Sequence, residues 1–262
     1  MPAPSNGLGY LPDEVDTRDH RWGSPLRGRG TSASLEPYVL NVLNQGQLGS
    51  CVANAGYQAI RMRQVRQGLP EPLLGSRLFG YWACRAAEHT TKFDTGTHLR
   101  TFFDVCNKFG FPPEVIWPYD ARDDGDPNAR FRRQPSTAAF TAAFDLRSPT
   151  VYQRIEGGPG APEQVAQALW EGYPVAFGID VSNAFARDDF DPHIPIGPAE
   201  PQDVAGGHAM VFAGFDGDRF RGLNSWGPGW GDGGYFWASK KFVEAARDIW
   251  VVKHAPMPME KP

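Results

Sequence analysis

Cysteine is scarce in this 262-residue chain, which has only Cys51, Cys84 and Cys106. Because the number is odd and no C-x-x-C spacing occurs, a disulfide framework and a structural zinc site are both disfavoured. No stretch approaches the ~20 consecutive apolar residues of a transmembrane helix. Basic residues form no run, and the formal net charge is −4. The sequence therefore gives no indication of a nucleic-acid or membrane partner.

The N-terminus also lacks the charged and apolar regions of a signal peptide. If Met1 is the native start, we expect a cytoplasmic protein, with a removed signal peptide or another export route left open. The sequence does not indicate an oligomeric state.

Glycine and proline are plentiful, with 30 and 24 residues, which favours a loop-rich and partly β structure. Helical periodicity predicts helices over 51–67, 77–88 and 97–109. After Pro112-Pro113 the pattern becomes mostly β, apart from a helix-like stretch at 162–171, and short apolar runs predict strands. We expect an α+β fold with an N-terminal arm (1–34), a helical lobe (35–135) and a β-rich lobe (136–262). An acidic loop, 123–128, is interpreted as a solvated turn, because it lacks the glutamate and spacing of a calcium loop.

Cys51 differs in context from the other two cysteines, which lie among apolar residues at helical spacing and are predicted to be core residues. It follows Gly49-Ser50 at the predicted start of a helix. The positive end of a helix lowers the pKa of a thiol, as does a nearby imidazolium. His208 follows two glycines and opens an apolar strand, and Asn224 ends the next strand of a predicted hairpin. Antiparallel pairing would place the two side by side, where the amide oxygen can fix the imidazole tautomer.

Two segments resemble the papain family of cysteine peptidases. Residues 44–51, NQGQLGSC, resemble the nucleophile segment, and residues 224–235, NSWGPGWGDGGY, resemble the asparagine segment. Gly207-His208-Ala209 suits the histidine segment, and the order Gln, Cys, His, Asn is that of the family. The resemblance covers 35–252 and implies a two-lobe fold with the active site in the cleft.

The resemblance implies a role for each matching residue. Cys51 is then the nucleophile, His208 the base and acid, Asn224 the group that orients it, and Gln45 a donor to the oxyanion. Trp226 would shield the His208–Asn224 hydrogen bond. Substrate backbone would pair with a strip of small residues at Asp94, Thr95 and Gly96. Substrate would also contact the residues that flank His208, Gly207 and Ala209.

This chain also departs from the family pattern. Leu48 replaces a cysteine three residues before the nucleophile, which removes the usual disulfide. Gly207 replaces a common acidic residue, so we expect a roomy, apolar pocket for the substrate residue that precedes the scissile one.

The expected reaction is hydrolysis of peptide bonds in peptide or protein substrates through a thioacyl-enzyme, with no metal or organic cofactor. Two alternatives remain at this stage: acyl transfer of the transglutaminase or deamidase kind, and a binding protein with an idle site. Fifty residues precede Cys51, too few for a long inhibitory pro-segment. Part of Met1–Gly30 is therefore hypothesised to be a short plug or regulatory arm, the alternative being a flexible or lobe-packing tail.

Overall fold

The computed structural model describes residues 7–24, 28–69, 71–122, 126–147, 149–187 and 189–255. Its helices are α1 (Cys51–Arg66), α2 (Arg77–Ala87), α3 (Leu99–Phe109), α4 (Thr137–Asp145), α5 (Ala161–Trp170) and α6 (Lys240–Ala245). Its strands are β1 (Tyr10–Leu11), β2 (Ser32–Ser34), β3 (Thr97–His98), β4 (Val151–Ile155), β5 (Val175–Ser182), β6 (Val204–Asp216), β7 (Arg219–Leu223), β8 (Tyr235–Ser239) and β9 (Arg247–His254). The interpretation of the acidic loop falls partly on 123–125, and the arm hypothesis partly on 1–6 and 25–27, which lie outside the described residues.

The three predicted N-terminal helices are present. α1 begins at Cys51 and ends just before Gly68, whose φ of +101° is the left-handed conformation that glycine adopts readily at helix ends. The third helix begins two residues later than predicted, because Thr97 and His98 form β3 instead, in parallel pairing with β1. Both other cysteines are buried free thiols, as predicted.

α4 has no counterpart in the prediction. Ser136 caps it by accepting a hydrogen bond from the Ala139 N–H. Phe140 of this helix packs edge-on against Phe79 and Trp82 of α2. The lobe boundaries inferred from sequence stay a prediction.

The second half of the chain forms an antiparallel sheet in the strand order β4-β9-β5-β6-β7-β8, with β2 added against β6. Each apolar run predicted to be a strand lies in this sheet. β6 and β7 form the predicted hairpin, with Val211 opposite Leu223. α1 packs against β5, β6 and β9, so the buried core runs continuously between the helices and the sheet.

No helix in the described ranges is both long and apolar enough to cross a bilayer.

Candidate active site

Cys51 lies in the first turn of α1, at the junction of the helices and the sheet. Its side chain is fully buried, with 0% of its surface exposed. The backbone N–H groups of Ala209, Gly9 and Val52 point at its sulfur. The contact with Ala209 joins the thiol to the residue that follows His208 on β6.

The hairpin of β6 and β7 brings His208 and Asn224 together. His208 Nε2 lies 2.8 Å from Asn224 Oδ1, and the same oxygen accepts the Ser225 N–H at 2.7 Å. The hydrogen bond from the Ser225 N–H identifies this atom as the amide oxygen, which can only accept. His208 Nε2 must therefore be the donor, so it carries the ring proton. Nδ1 is then the free lone pair, and this buried atom has no hydrogen-bond partner within the described residues. The neutral imidazole is therefore held in the tautomer that can accept a proton at Nδ1.

Trp226 covers this pair. Its ring stacks on the His208 ring with centroids 4.8 Å apart and planes 29° apart. Phe185 packs against the rings of both His208 and Trp226. These aromatic rings keep water away from the His208–Asn224 hydrogen bond, which strengthens it by lowering the local dielectric.

Gln45 is held by the segment that follows β7. Its Oε1 accepts from Ser225 Oγ at 2.6 Å, and its backbone N–H donates to the Ser225 carbonyl at 2.8 Å. Asn44 forms a β-bridge with Trp226, and the Gly227 N–H donates to the Leu43 carbonyl at 2.9 Å. We call these paired residues, 43–45 and 225–227, the interlobe seam. Sequence reasoning did not assign Ser225 this role, although it lies inside the asparagine segment.

In addition to Trp226, the sequence predicts five residues that contact substrate, and the structure places these five in different surroundings. Asp94 accepts the Gly49 N–H at 3.1 and 3.0 Å, and Thr95 is exposed with its hydroxyl bonded to Thr90. Gly96, Gly207 and Ala209 face the cleft.

Residues 7–13 of the arm fill this cleft, and we call them the plug segment. Gln45 Nε2 donates to the Gly7 carbonyl at 2.7 Å, and the Thr97 N–H donates to the Gly9 carbonyl at 2.9 Å. A Cβ on Gly9 would lie 1.9 Å from the Gly49 oxygen, and one on Gly96 would lie 2.1 Å from the Gly9 oxygen. At Gly9 the plug segment therefore lies in a passage too narrow for a side chain. Thr97 also lines this passage, although the sequence analysis does not predict it.

Side chains fix the far end of the plug segment. The Tyr10 hydroxyl donates to Asp248 Oδ2, which also accepts the Asp13 N–H at 2.7 Å. The side chain of Asp13 is buried beside Arg100, whose backbone N–H donates to its carboxylate at 3.2 Å. Arg154 Nη2 donates to the other oxygen of Asp248 at 2.7 Å. The plug segment is therefore bound by hydrogen bonds to both lobes.

Burial beneath the plug segment keeps the two reactive groups uncharged. It raises the pKa of the Cys51 thiol to about 11, although the surrounding N–H groups oppose the rise. It lowers the pKa of His208 to about 4, although the hydrogen bond to Asn224 opposes the fall. A thiol in this form is a poor nucleophile at neutral pH.

Comparison with known proteins agrees with this geometry. Residues 32–249 match the papain family cysteine protease profile. An uncharacterized peptidase C1-like protein of Acanthamoeba polyphaga mimivirus is 32% identical over 234 residues, which cover 85% of this chain and 73% of that protein.

Two solved structures have the same fold. Xylellain, a cysteine protease from Xylella fastidiosa, superposes with a TM-score of 0.86 at 29% identity, over 98% of this chain and 99% of that one. Digestive procathepsin L2 proteinase from the Tenebrio molitor larval midgut has a TM-score of 0.66 at 21% identity, over 97% of this chain and 81% of that one, which is a likeness of fold alone. The chain belongs to the papain family of cysteine proteases.

Proposed function

We propose that Cys51, His208, Asn224 and Gln45 carry the peptidase activity of this chain, and that the plug segment holds the enzyme in a closed, inactive form. The family makes the chain a cysteine peptidase that acts on peptide or protein substrates. The contacts of the plug segment support these residue roles. The Gly7 carbonyl accepts a hydrogen bond from Gln45 Nε2, while Gly9 contacts the Cys51 sulfur.

In the open enzyme the reaction begins with proton transfer from the Cys51 thiol to His208 Nδ1. The thiolate attacks the carbonyl carbon of the scissile peptide, and Gln45 Nε2 donates a hydrogen bond to the oxyanion that forms. The carbon–nitrogen bond then breaks, and His208 gives its proton to the leaving amine. Water attacks the thioester after losing a proton to His208, and the acid product leaves as the thiol is restored. Asn224 keeps Nε2 protonated throughout, so that Nδ1 carries every proton transfer.

The direction of the plug segment supports inhibition over self-cleavage. The family resemblance assigns the Gly96 strip and the Gly207 pocket to substrate residues that precede the scissile bond. In the plug segment these places are taken by Gly9 and Tyr10, which follow Gly7 in the chain. The arm therefore runs opposite to the expected substrate, and its peptide bonds present the wrong side to the thiol.

The test uses the full-length chain and a peptidyl epoxide that alkylates thiols. Gly9→Ala places a methyl group against the Gly49 oxygen and should displace the plug segment. Gly23→Ala is the matched control, because a Cβ there meets nothing within 4 Å. We expect slow labelling of the wild type and of Gly23→Ala, and fast labelling of Gly9→Ala at Cys51 alone.

Two further variants, in the Gly9→Ala background, separate the two parts of the proposal. Cys51→Ala should abolish labelling and peptide turnover, and His208→Ala should slow both strongly. Equal labelling of wild type and Gly9→Ala would reject the role of the plug segment. Peptide turnover that survives in the Cys51→Ala variant would reject the catalytic assignment.

A further inference from the structure

A chain of side-chain hydrogen bonds links Gln45 to the residue that precedes the nucleophile. The Tyr119 hydroxyl donates to the Gln45 carbonyl at 2.9 Å. Because its single proton is used there, Ser50 Oγ donates to the Tyr119 oxygen. Asn54, in the first turn of α1, donates from Nδ2 to Ser50 Oγ at 3.2 Å. These hydrogen bonds connect the two segments from which donors to an oxyanion can project.

The same asparagine fixes the direction of the Cys51 N–H. This N–H and the Ser50 carbonyl belong to one planar trans peptide, so they point in opposite directions. The Ser50 carbonyl accepts from the Asn54 backbone N–H at 3.1 Å and from Asn54 Nδ2 at 3.0 Å. Cys51 is the first residue of α1, so no carbonyl of the helix accepts its N–H. Asn54 therefore holds a backbone donor that is available to an oxyanion beside the sulfur.

Gln45 is held at each of its polar atoms. Its backbone N–H and Oε1 are bonded to Ser225, and its carbonyl is bonded to Tyr119. One proton of Nε2 goes to the Leu48 carbonyl at 2.8 Å. The other proton of Nε2 is the one that Gly7 accepts in the closed form, and it is the proton that an oxyanion would accept. Tyr119 holds the backbone from which this donor projects.

Arg77 of α2 holds both Asn54 and Tyr119 in place. Its Nη1 donates to Asn54 Oδ1 at 3.0 Å, which leaves the amide nitrogen of Asn54 to face Ser50. Its guanidinium lies over the Tyr119 ring, 3.9 Å from the centroid. Glu114 accepts from Arg77 Nη2 at 2.6 Å, and both of these side chains are largely buried. The two oxyanion donors are therefore supported by a single connected network.

Resting on the proposed function, we propose that Asn54 and Tyr119 are positioning residues that aim the two oxyanion donors of this peptidase. Asn54 acts on the Cys51 N–H through the Ser50 carbonyl, and Tyr119 acts on Gln45 through the Gln45 carbonyl. The sequence analysis assigns no role to either residue. Their effect is confined to steps in which an oxyanion forms, so simple alkylation of the thiol does not depend on them.

The experiment uses the full-length chain with Gly9→Ala, which opens the cleft. Tyr119→Phe and Asn54→Leu are compared in this background for turnover of a peptide substrate and for alkylation of Cys51 by iodoacetamide. In alkylation the sulfur displaces iodide from carbon, and no oxyanion forms. We expect kcat to fall about 10-fold for Tyr119→Phe and about 100-fold for Asn54→Leu, because small misplacements of a catalytic donor are costly. KM and the alkylation rate should stay within about threefold.

Two companion variants guard against a loss of fold. Tyr57→Phe is the matched control, because Tyr57 also lies on α1 and its buried hydroxyl has no hydrogen-bond partner among the described residues. It should leave kcat within about twofold. Asn54→Asp keeps the shape of the side chain and the bond from Arg77 but lacks the Nδ2 donor, so it should lower kcat even if the leucine variant misfolds.

A double-mutant cycle with Gln45→Ala separates positioning from a merely structural role. Tyr119→Phe should cause no further loss of kcat in the Gln45→Ala background, because it acts through Gln45. Asn54→Leu should still lower kcat there, because it acts through the Cys51 N–H. A structural role would instead lower kcat equally in both backgrounds.

Unchanged kcat in both variants would overturn this inference and leave the proposed function intact. A loss of kcat matched by an equal loss of the alkylation rate would also overturn it, since the variants would then act on the thiol or on the fold. Absence of turnover by the Gly9→Ala chain, together with absence of epoxide labelling at Cys51, would reject the proposed function and this inference with it.

Discussion

Tyr10→Phe should loosen the plug segment without changing its shape. The substitution removes one hydrogen bond to the buried carboxylate of Asp248, while the Asp13 N–H still donates to the same oxygen. A hydrogen bond to a charged group contributes about 1.5–3 kcal/mol, and the remaining donor puts this case near the lower end. Opening should therefore become about 10- to 30-fold more frequent.

The assay is alkylation of Cys51 by iodoacetamide in the full-length protein at a fixed pH, followed by intact mass. The thiol is buried in the closed form, so the alkylation rate follows the fraction of molecules that have opened. Tyr38→Phe is the control, because the Tyr38 ring packs on Arg66 at the opposite end of α1. An alkylation rate that Tyr10→Phe leaves within about twofold of wild type would refute the idea that this hydrogen bond holds the plug segment.

Three further results are expected. Burial beside Asp248 raises the pKa of Asp13 to about 6, so its contribution to closure is complete below the ordinary carboxyl pKa of 3.8 and is lost as the pH rises through 6. His208, with its pKa lowered to about 4, acts oppositely, because its contribution to closure is present above 6.5 and is lost as the pH falls toward 4. Since Asp13→Asn removes only the first effect, the ratio of wild-type to variant alkylation rates should rise from about one at pH 4 to as much as ~100 at pH 7, and a flat ratio would contradict this. Gln45→Ala, in the opened Gly9→Ala chain, should lower kcat about 10²- to 10³-fold in a peptide assay, and an unchanged kcat would remove Gln45 from the oxyanion site. Gly178→Ala should speed alkylation of Cys51, because its methyl group would lie 2.1 Å from two atoms of the Tyr10 ring, and an unchanged alkylation rate would show that this ring does not hold the plug segment.

The parts of this structure that local sequence pattern controls were predictable. Gly49-Ser50 before an apolar periodic run places Cys51 at a helix start, and α1 begins there. Two apolar runs joined by a tight turn predict the hairpin that brings His208 to Asn224. Each of these features depends on residues close together in the chain.

The docked arm was predictable only as a hypothesis. Tyr10 and Asp248 are 238 residues apart, and neither has a sequence context that marks it for the other. β1 is two residues long and exists because β3 pairs with it, so no periodic pattern could reveal it. The buried carboxylate beside Tyr10 was missed for the same reason, since Asp248 comes directly before an apolar run and has the spacing of an ordinary strand residue.

The interlobe seam limits the kind of motion by which the cleft can open. Residues 43–45 and 225–227 join the helical lobe to the β-rich lobe through backbone hydrogen bonds directly beside the site. A hinge rotation of one lobe against the other would break them and separate Gln45 from Ser225. Under the proposed inhibition by the plug segment, local detachment of this short segment is enough to open the cleft. Such a motion falls on the nanosecond-to-microsecond scale of terminus motions once its contacts are broken, and the seam holds Gln45 beside Ser225 throughout.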